Sequence, residues 1–163
     1  MSVTEIVVKV ADLNTGAAGE VLVTYGLGSC VAIVLHDPVK KVGGMAHVML
    51  PSRSLARQSK VAGKTPQTAV PALINLLIGH GANPQRLTGR LVGGASLFAA
   101  LTPPGSIQMG ERNVVATREV LHLHNIPIIG ELVGGESGRS VWFNTGDGVV
   151  TVRSAAKQSE QTL

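Results

Sequence analysis

The chain has 163 residues, of which 44% are hydrophobic, 15% charged and only 2% aromatic, and 20 are glycine. This length suits one domain and sets multi-domain architectures aside. The low charged share and a mean hydropathy of +0.28 exclude a disordered chain.

The excess of 14 Lys and Arg over 10 Asp and Glu residues raises the question of nucleic-acid binding. Two features argue against it. So few aromatic side chains leave little to stack on bases, and the basic residues are scattered apart from one cluster, Arg53, Arg57, Lys60 and Lys64. A face for a negatively charged protein partner explains the charge as well. We therefore expect no nucleic-acid partner.

Targeting and membrane signals are also missing from the pattern. Residues 1–10 lack the continuous apolar region of a secretory signal. The longest apolar run, residues 30–35, is far shorter than the ~20 residues of a membrane helix. We expect a cytoplasmic protein with no membrane insertion. Its one cysteine, Cys30, excludes an internal disulfide and a cysteine-rich zinc site, and we expect no metal and no cofactor.

Alternating and β-branched apolar patterns predict four strands in the first third of the chain. They span residues 5–10, 21–25, 30–36 and 42–50. A glycine-containing turn over 14–19 separates the first two, and Asp37-Pro38 turns the chain between the last two. The polar, basic stretch 52–63 predicts a surface loop.

Two helices and four further strands follow. Apolar residues at helical spacing predict a helix over 68–78 that begins at Thr68, and a second over 111–124. The later strands are predicted at residues 90–92, 128–133, 140–144 and 149–152. The polar residues 154–163 predict a flexible tail. Together these elements predict one α/β (α+β) domain over residues 1–153, with a central β-sandwich-like core flanked by helices.

A glycine-rich segment precedes Cys30. Gly26-Leu27-Gly28 resembles the start of a dinucleotide fingerprint, but the third small position falls on Val31 and a strand follows instead of a helix. Backbone N–H groups just before a nucleophile can instead converge on one point and bind an oxyanion. This pattern makes Gly28 and Ser29 candidates for that role.

A cysteine nucleophile needs a base within hydrogen-bond reach. If Pro38 and Val39 form the centre of a two-residue hairpin, the register sets Cys30 opposite His47. A slip of one residue would put the two side chains on opposite faces, and proline does not suit such a turn. In the register that sets Cys30 opposite His47, the histidine would lower the pKa of the Cys30 thiol. The alternative is that both residues are ordinary members of the core.

A series of motifs resembles the chemoreceptor glutamine deamidase family, CheD. The first are TYGLGSCVA at 24–32, Asp37-Pro38 and GMAHVMLP at 44–51. The series continues through Gly93-Gly94-Ala95, Gly110-Glu111-Arg112-Asn113, Gly134-Gly135, Gly138-Arg139 and Thr145-Gly146. It covers nearly the whole chain except the basic loop and the tail.

The resemblance implies a cysteine hydrolase that converts particular glutamines of bacterial chemoreceptors to glutamate and releases ammonia. It implies Cys30 as the nucleophile, His47 as the base and Thr24 as the group that orients the histidine. Some family members also hydrolyse receptor glutamyl methyl esters or bind a CheC-type phosphatase. The family's fold is a β-sandwich-centred α/β arrangement shared with a bacterial toxin deamidase.

Two positions depart from the family pattern. Many members carry an aromatic residue where this chain has Thr65, and often an acidic residue where it has Leu132. Neither touches the implied trio, so substrate docking or partner affinity is what they put in question. The segments at Gly93-Gly94 and 111–113 could line the site, although bracing it is the preferred interpretation.

Other functions stay open at this point. The chain could be a chemotaxis adaptor that binds receptors or a phosphatase, with a structural cysteine. A transglutaminase-like transfer to amines is a third possibility. The partners implied by the resemblance are the cytoplasmic helices of methyl-accepting chemoreceptors. The cluster at 53, 57, 60 and 64 would form a basic collar for them if its loop became helical, although a solvated loop explains it too.

Overall fold

The structure is a computed structural model that describes residues 3–57, 59–156 and 160–163. Its strands are β1 (Glu5–Val7), β2 (Leu13–Ala17), β3 (Val21–Leu27), β4 (Val31–Asp37), β5 (Val42–Val48), β6 (Thr88–Gly93), β7 (Ile128–Val133), β8 (Arg139–Asn144), β9 (Val150–Ser154) and β10 (Glu160–Thr162). Its helices are α1 (Arg53–Ala56), α2 (Pro66–Gly79) and α3 (Met109–Leu123). None of the described helices is long and apolar enough to cross a bilayer.

The strands form two five-stranded sheets. The outer sheet has the order β1-β3-β8-β9-β10, and the central sheet has the order β2-β5-β4-β6-β7. Every residue of β4 and β5 is buried, because the central sheet is covered on both faces. This explains why the sequence of β4 is a continuous apolar run.

The two faces of the central sheet pack against different layers. Val31, Ile33 and Leu35 join an apolar cluster with side chains of α2 and α3. Ala32 and Val34 belong to a second cluster shared with the outer sheet, which we call the sandwich interior. The prediction of one α+β domain built on two β layers is confirmed, with the two long helices on the outer face of the central sheet.

The register of the β4–β5 hairpin differs from the prediction by two residues. Ala32, not Cys30, faces His47, and Asp37 faces Val42. The loop therefore has four residues, 38–41, instead of two. Lys41 takes a positive φ of 58°, and its N–H donates to the Asp37 carbonyl over 2.9 Å, which closes the loop. A two-residue loop would place Pro38 at its centre, where the favoured turns need φ values that proline cannot adopt.

Asp37 also fixes this turn with its side chain. Its carboxylate accepts from the N–H groups of Val39 and Lys40 and from the Arg86 guanidinium through two bonds. Burial raises the pKa of Asp37, but these hydrogen bonds and one from the Asn83 N–H outweigh it and hold the pKa well below its ordinary value. The hairpin register is thus held by charge-assisted bonds at its closed end.

Several boundaries differ from expectation. Strand β2 replaces the turn predicted over 14–19, and it pairs with β5 along its whole length. Part of the loop predicted over 52–63 forms α1, and α2 begins two residues before Thr68, with Thr65 as its N-cap. A flexible tail was predicted over 154–163, but residues 160–162 of it pair with β9 as a strand. Residues 157–159 of that tail lie outside the described residues.

Candidate active site

Thr24, Cys30 and His47 come from three consecutive strands or their ends. Thr24 lies on β3, His47 lies on β5, and Cys30 precedes the first residue of β4. Because His47 faces Ala32, and Cys30 lies two residues before Ala32, Cys30 and His47 share the face that packs on the sandwich interior. The two-residue error in the predicted register preserved this face, since side chains alternate with a period of two.

Thr24 and His47 form a buried hydrogen bond. The Thr24 Oγ1 lies 2.7 Å from His47 Nδ1 and 2.7 Å from the carbonyl oxygen of Val8. A carbonyl can only accept, so the one hydroxyl hydrogen of Thr24 goes to Val8. Thr24 Oγ1 must then accept from a proton on Nδ1, which leaves Nε2 with its lone pair free.

This arrangement leaves His47 Nε2 as the ring nitrogen that can accept a proton. The side chain is 1% exposed, and Nε2 has no hydrogen-bond partner among the described residues. Burial lowers the pKa of His47 from 6.5 to about 4, because a charged imidazolium is poorly solvated there. At neutral pH the ring is therefore a neutral base with an unused acceptor.

Cys30 is partly buried, and burial raises the pKa of its thiol. The expectation that the thiol pKa is lowered is therefore wrong for the free protein. Burial thus acts against a thiolate on Cys30 and against an imidazolium on His47 alike. These directions favour transfer of the Cys30 proton to a base during attack by the sulfur over transfer beforehand.

The backbone around Cys30 is held from the side of β6. The Gly94 N–H donates to the Cys30 carbonyl, and the Ala95 N–H donates to the Gly28 carbonyl, each over 2.8 Å. Within the described residues, the N–H groups of Ser29 and Cys30 donate to no acceptor. Both residues are partly exposed, which makes these two N–H groups candidates for contact with a ligand.

A small cavity of about 200 Å³ opens beside Ser29. Its walls come from the segment after β6 and the start of α3, with Leu97, Phe98 and Met109 as the large apolar members. A Cβ on Gly28 would lie 2.8 Å from Leu97 Cδ1, so the Leu97 side chain lies directly over this glycine. The site thus has an apolar flank that composition alone did not indicate.

Gly93 and Gly94 brace the site, as preferred from the sequence. Their φ angles are +118° and +66°, a region that favours glycine. A Cβ on Gly93 would overlap the Cys30 carbonyl oxygen, and one on Gly94 would overlap Val114. Asn113 of α3 is buried and binds the backbone on both sides of the site, which no local pattern predicts.

The basic segment lies just beyond β5. Arg53, Arg57 and Lys60 line an open groove of about 680 Å³ with Thr65 and Thr68. No ion pair found in the described part of the chain includes these three cations. Thr65, one of the two departures from the family pattern, is buried and is the N-cap residue of α2. Leu132, the other, packs on the edge of the sandwich interior.

Comparison with known proteins shows the family. Residues 49–154 match a family model described as CheD chemotactic sensory transduction. That match begins after His47, but curated relatives extend over the trio as well. The chain is similar over 147 residues to a protein named probable chemoreceptor glutamine deamidase CheD in Caldanaerobacter subterraneus subsp. tengcongensis, with 41% identity over 90% of this chain and 91% of the relative.

A relative of the same name in Methanococcus vannielii has 42% identity over 90% of this chain and 92% of its own length. One from Geobacillus kaustophilus has 41% identity over 94% of each chain. The chain therefore belongs to the CheD family. Among solved structures, the Bacillus licheniformis hypothetical protein YfiH covers 74% of this chain and 49% of its own with a TM-score of 0.47 and 13% identity, which is too distant to bear on function.

Proposed function

We propose that this chain is a protein-glutamine deamidase that converts glutamines of methyl-accepting chemoreceptors to glutamate. The observation that carries the proposal is the free, buried His47 Nε2 on the same sheet face as Cys30, with Nδ1 fixed by Thr24. The names of the relatives supply the substrate class.

In the first step, the Cys30 sulfur attacks the side-chain carbonyl carbon of a glutamine while its proton passes to His47 Nε2. The carbonyl oxygen becomes an oxyanion, and the N–H groups of Ser29 and Cys30, which have no acceptor among the described residues, are the donors that we assign to it, with the Gly28 backbone shaping the turn. His47 then gives its proton to the leaving nitrogen. The C–N bond breaks, ammonia departs, and a thioester on Cys30 remains.

In the second step, His47 takes a proton from water, whose oxygen attacks the thioester carbon. The C–S bond breaks, the thiol regains the proton, and the product is a glutamate side chain. A methyl ester would follow the same steps with methanol as the leaving group. Thr24 offers only a neutral hydroxyl, so it stabilises the imidazolium less than a carboxylate would, and we expect slow turnover.

The substrate must be presented by another protein, and the basic groove of Arg53, Arg57 and Lys60 suits an acidic one. The expected partners are receptor cytoplasmic helices, with a CheC-type phosphatase as a second one. A cytoplasmic location follows from these partners. We expect higher salt to raise KM for receptor fragments, because salt weakens the attraction between the exposed charges of the two proteins. At physiological ionic strength, exposed charges more than about 8 Å apart are already largely screened.

The direct test measures ammonia released when the purified protein is incubated with receptor cytoplasmic fragments. We expect release by the wild type, and none by Cys30→Ala, with receptor binding preserved in both. Equal release by Cys30→Ala would overturn the enzyme proposal.

Binding without any release by the wild type would favour the non-catalytic adaptor. Incorporation of an added primary amine into the receptor glutamines, at the expense of glutamate, would indicate transglutaminase-like transfer instead.

A further inference from the structure

Strands β4 and β5 separate at the end of the hairpin where the site lies. Their last paired residues are Val31 and Val48. Cys30 and Met49 would be the next partners, but the Met49 N–H donates to the Lys64 carbonyl and the Cys30 carbonyl accepts from the Gly94 N–H. Yet Cys30 lies between Ser29 and the first of these strands, so the position of its sulfur relative to His47 depends on what holds the open end.

The side chain of Asn113 lies across this open end. Its Nδ2 donates to the carbonyl of Ser29 over 2.9 Å and to the carbonyl of Met49 over 3.2 Å. Asn113 is 0% exposed. Both partners are carbonyls and can only accept, so the amide orientation is fixed, and each of its two N–H bonds has its own acceptor.

We propose that Asn113 is a positioning residue that sets the separation between the Cys30 thiol and the His47 ring. Its side chain bridges the two strand ends beyond the last rung of the β4–β5 ladder, joining the residue before Cys30 to the residue two after His47. The inference rests on the proposed function, because the separation matters only if a proton passes between these groups.

The chemistry of the position is narrow. A leucine has no donor, a threonine has only one, and an ionised aspartate has none and would repel both carbonyls. The Oδ1 of Asn113 is buried without a partner among the described residues, which is a cost that a purely apolar side chain would avoid. We infer that the two donated bonds are what this position requires.

The same helix offers a matched control. Thr117 lies one turn further along α3, is also 0% exposed, and donates from Oγ1 to the Asn113 carbonyl over 2.8 Å. Thr117→Val removes one buried hydrogen bond from the same helix while leaving the Asn113 side chain and both its acceptors in place. Unfolding midpoints of all variants show whether stability losses are comparable.

The test uses the one thiol of the chain as its own reporter. The rate of Cys30 alkylation by iodoacetamide at neutral pH is measured in the wild type, Asn113→Ala, His47→Ala and the double variant. We expect Asn113→Ala to slow alkylation about tenfold when His47 is present, and to change it little when His47 is absent. Thr117→Val should leave the rate within about twofold of the wild type.

An equal fold-change from Asn113→Ala in both backgrounds would overturn the proposal, because a purely structural or access effect does not depend on His47. So would a wild-type rate in Asn113→Ala. Deamidation gives a second readout: we expect kcat to fall about 10²-fold, as a displacement of about 1 Å can cause, with KM nearly unchanged.

Failure of the proposed function looks different in the same experiment. If His47→Ala leaves alkylation unchanged, His47 is not the base for Cys30, and the mechanism fails before Asn113 enters. If His47→Ala slows alkylation but Asn113→Ala does not, the mechanism stands and only the role of Asn113 is wrong.

Discussion

The ring of His47 has two nitrogens with opposite surroundings. Nδ1 is bonded to Thr24, whose own hydrogen is committed to the Val8 carbonyl, and Nε2 is buried without a partner in the described part of the chain. A backbone carbonyl on the chain before β3 therefore decides which nitrogen carries the proton. This link between Val8 and His47 cannot be predicted from the sequence, because it depends on backbone placement and not on a side-chain pattern.

We predict that Thr24→Val lowers kcat by about 10- to 100-fold, by analogy with partners that orient histidines elsewhere. Valine keeps the shape but offers no acceptor to Nδ1–H, so the tautomer and the ring orientation are no longer fixed. Steady-state deamidation measures the effect. Thr24→Ser retains the hydroxyl and should keep most of the rate, and a serine variant as poor as the valine variant would contradict this role.

The acid side of the pH profile of kcat/KM follows from the lowered pKa of His47. Because burial lowers the pKa of His47 to about 4, the ring is a neutral base throughout the range above that value. We therefore predict an acid limb near pH 4, with no inflection near 6.5, the ordinary histidine value. Measurement of kcat/KM against pH checks this, and a limb near 6.5 would show that His47 is solvated or is not the base.

At the scale of elements, the hairpin shows what sequence can and cannot predict. The apolar run of β4 and the shared face of Cys30 and His47 follow from local pattern. The exact register does not, because Asp37 closes a four-residue loop with help from Arg86, 49 residues away in the chain. Strand β2 was missed for a similar reason, since its polar, glycine-containing sequence is a strand only through pairing with β5.

Gly93 at the end of β6 gives a prediction with a matched control. Gly93→Ala combines a positive φ of +118° with overlap of the Cys30 carbonyl. We expect a loss of about 3 kcal/mol or more in the free energy of unfolding and loss of activity. Gly134 also has a positive φ, +80°, but open space around a Cβ.

Gly134→Ala should therefore cost only about 1–2 kcal/mol, the backbone penalty alone, and keep activity. Urea unfolding and deamidation of both variants make the comparison. Equal losses in the two would mean that the Cys30 carbonyl moves away without cost.

At the scale of the whole molecule, the burial of His47 links the free energy of unfolding to pH. In the unfolded chain His47 gains a proton near pH 6.5, whereas in the folded protein it does so near 4. The unfolded state binds more protons between these values, so stability is lost as the pH falls from about 6.5 to about 4. For this shift the loss is about 3 kcal/mol.

We predict that His47→Gln removes this part of the pH dependence. Unfolding free energies of the wild type and the variant, measured across that range, should converge toward low pH. Parallel curves would show that His47 titrates alike in both states.

The layered architecture and most of its strands were predictable, because β-branched runs and helical spacing act locally. The trio was predictable mainly through its motifs, and the contacts between Asn113 and the ends of β4 and β5 were not, since they join residues more than 60 positions apart. Side chains that act on backbone leave no periodic trace in the sequence.

The central claim is that the side-chain amide nitrogen of glutamine leaves as ammonia and that the side chain passes through a thioester on Cys30. Hydroxylamine added during the reaction with receptor fragments attacks such a thioester and gives a glutamyl hydroxamate, which mass spectrometry of the receptor peptides detects. The wild type should form hydroxamate at the glutamines that it otherwise converts to glutamate, and Cys30→Ala should form neither product. Equal yields of hydroxamate or glutamate from Cys30→Ala and the wild type would contradict the claim.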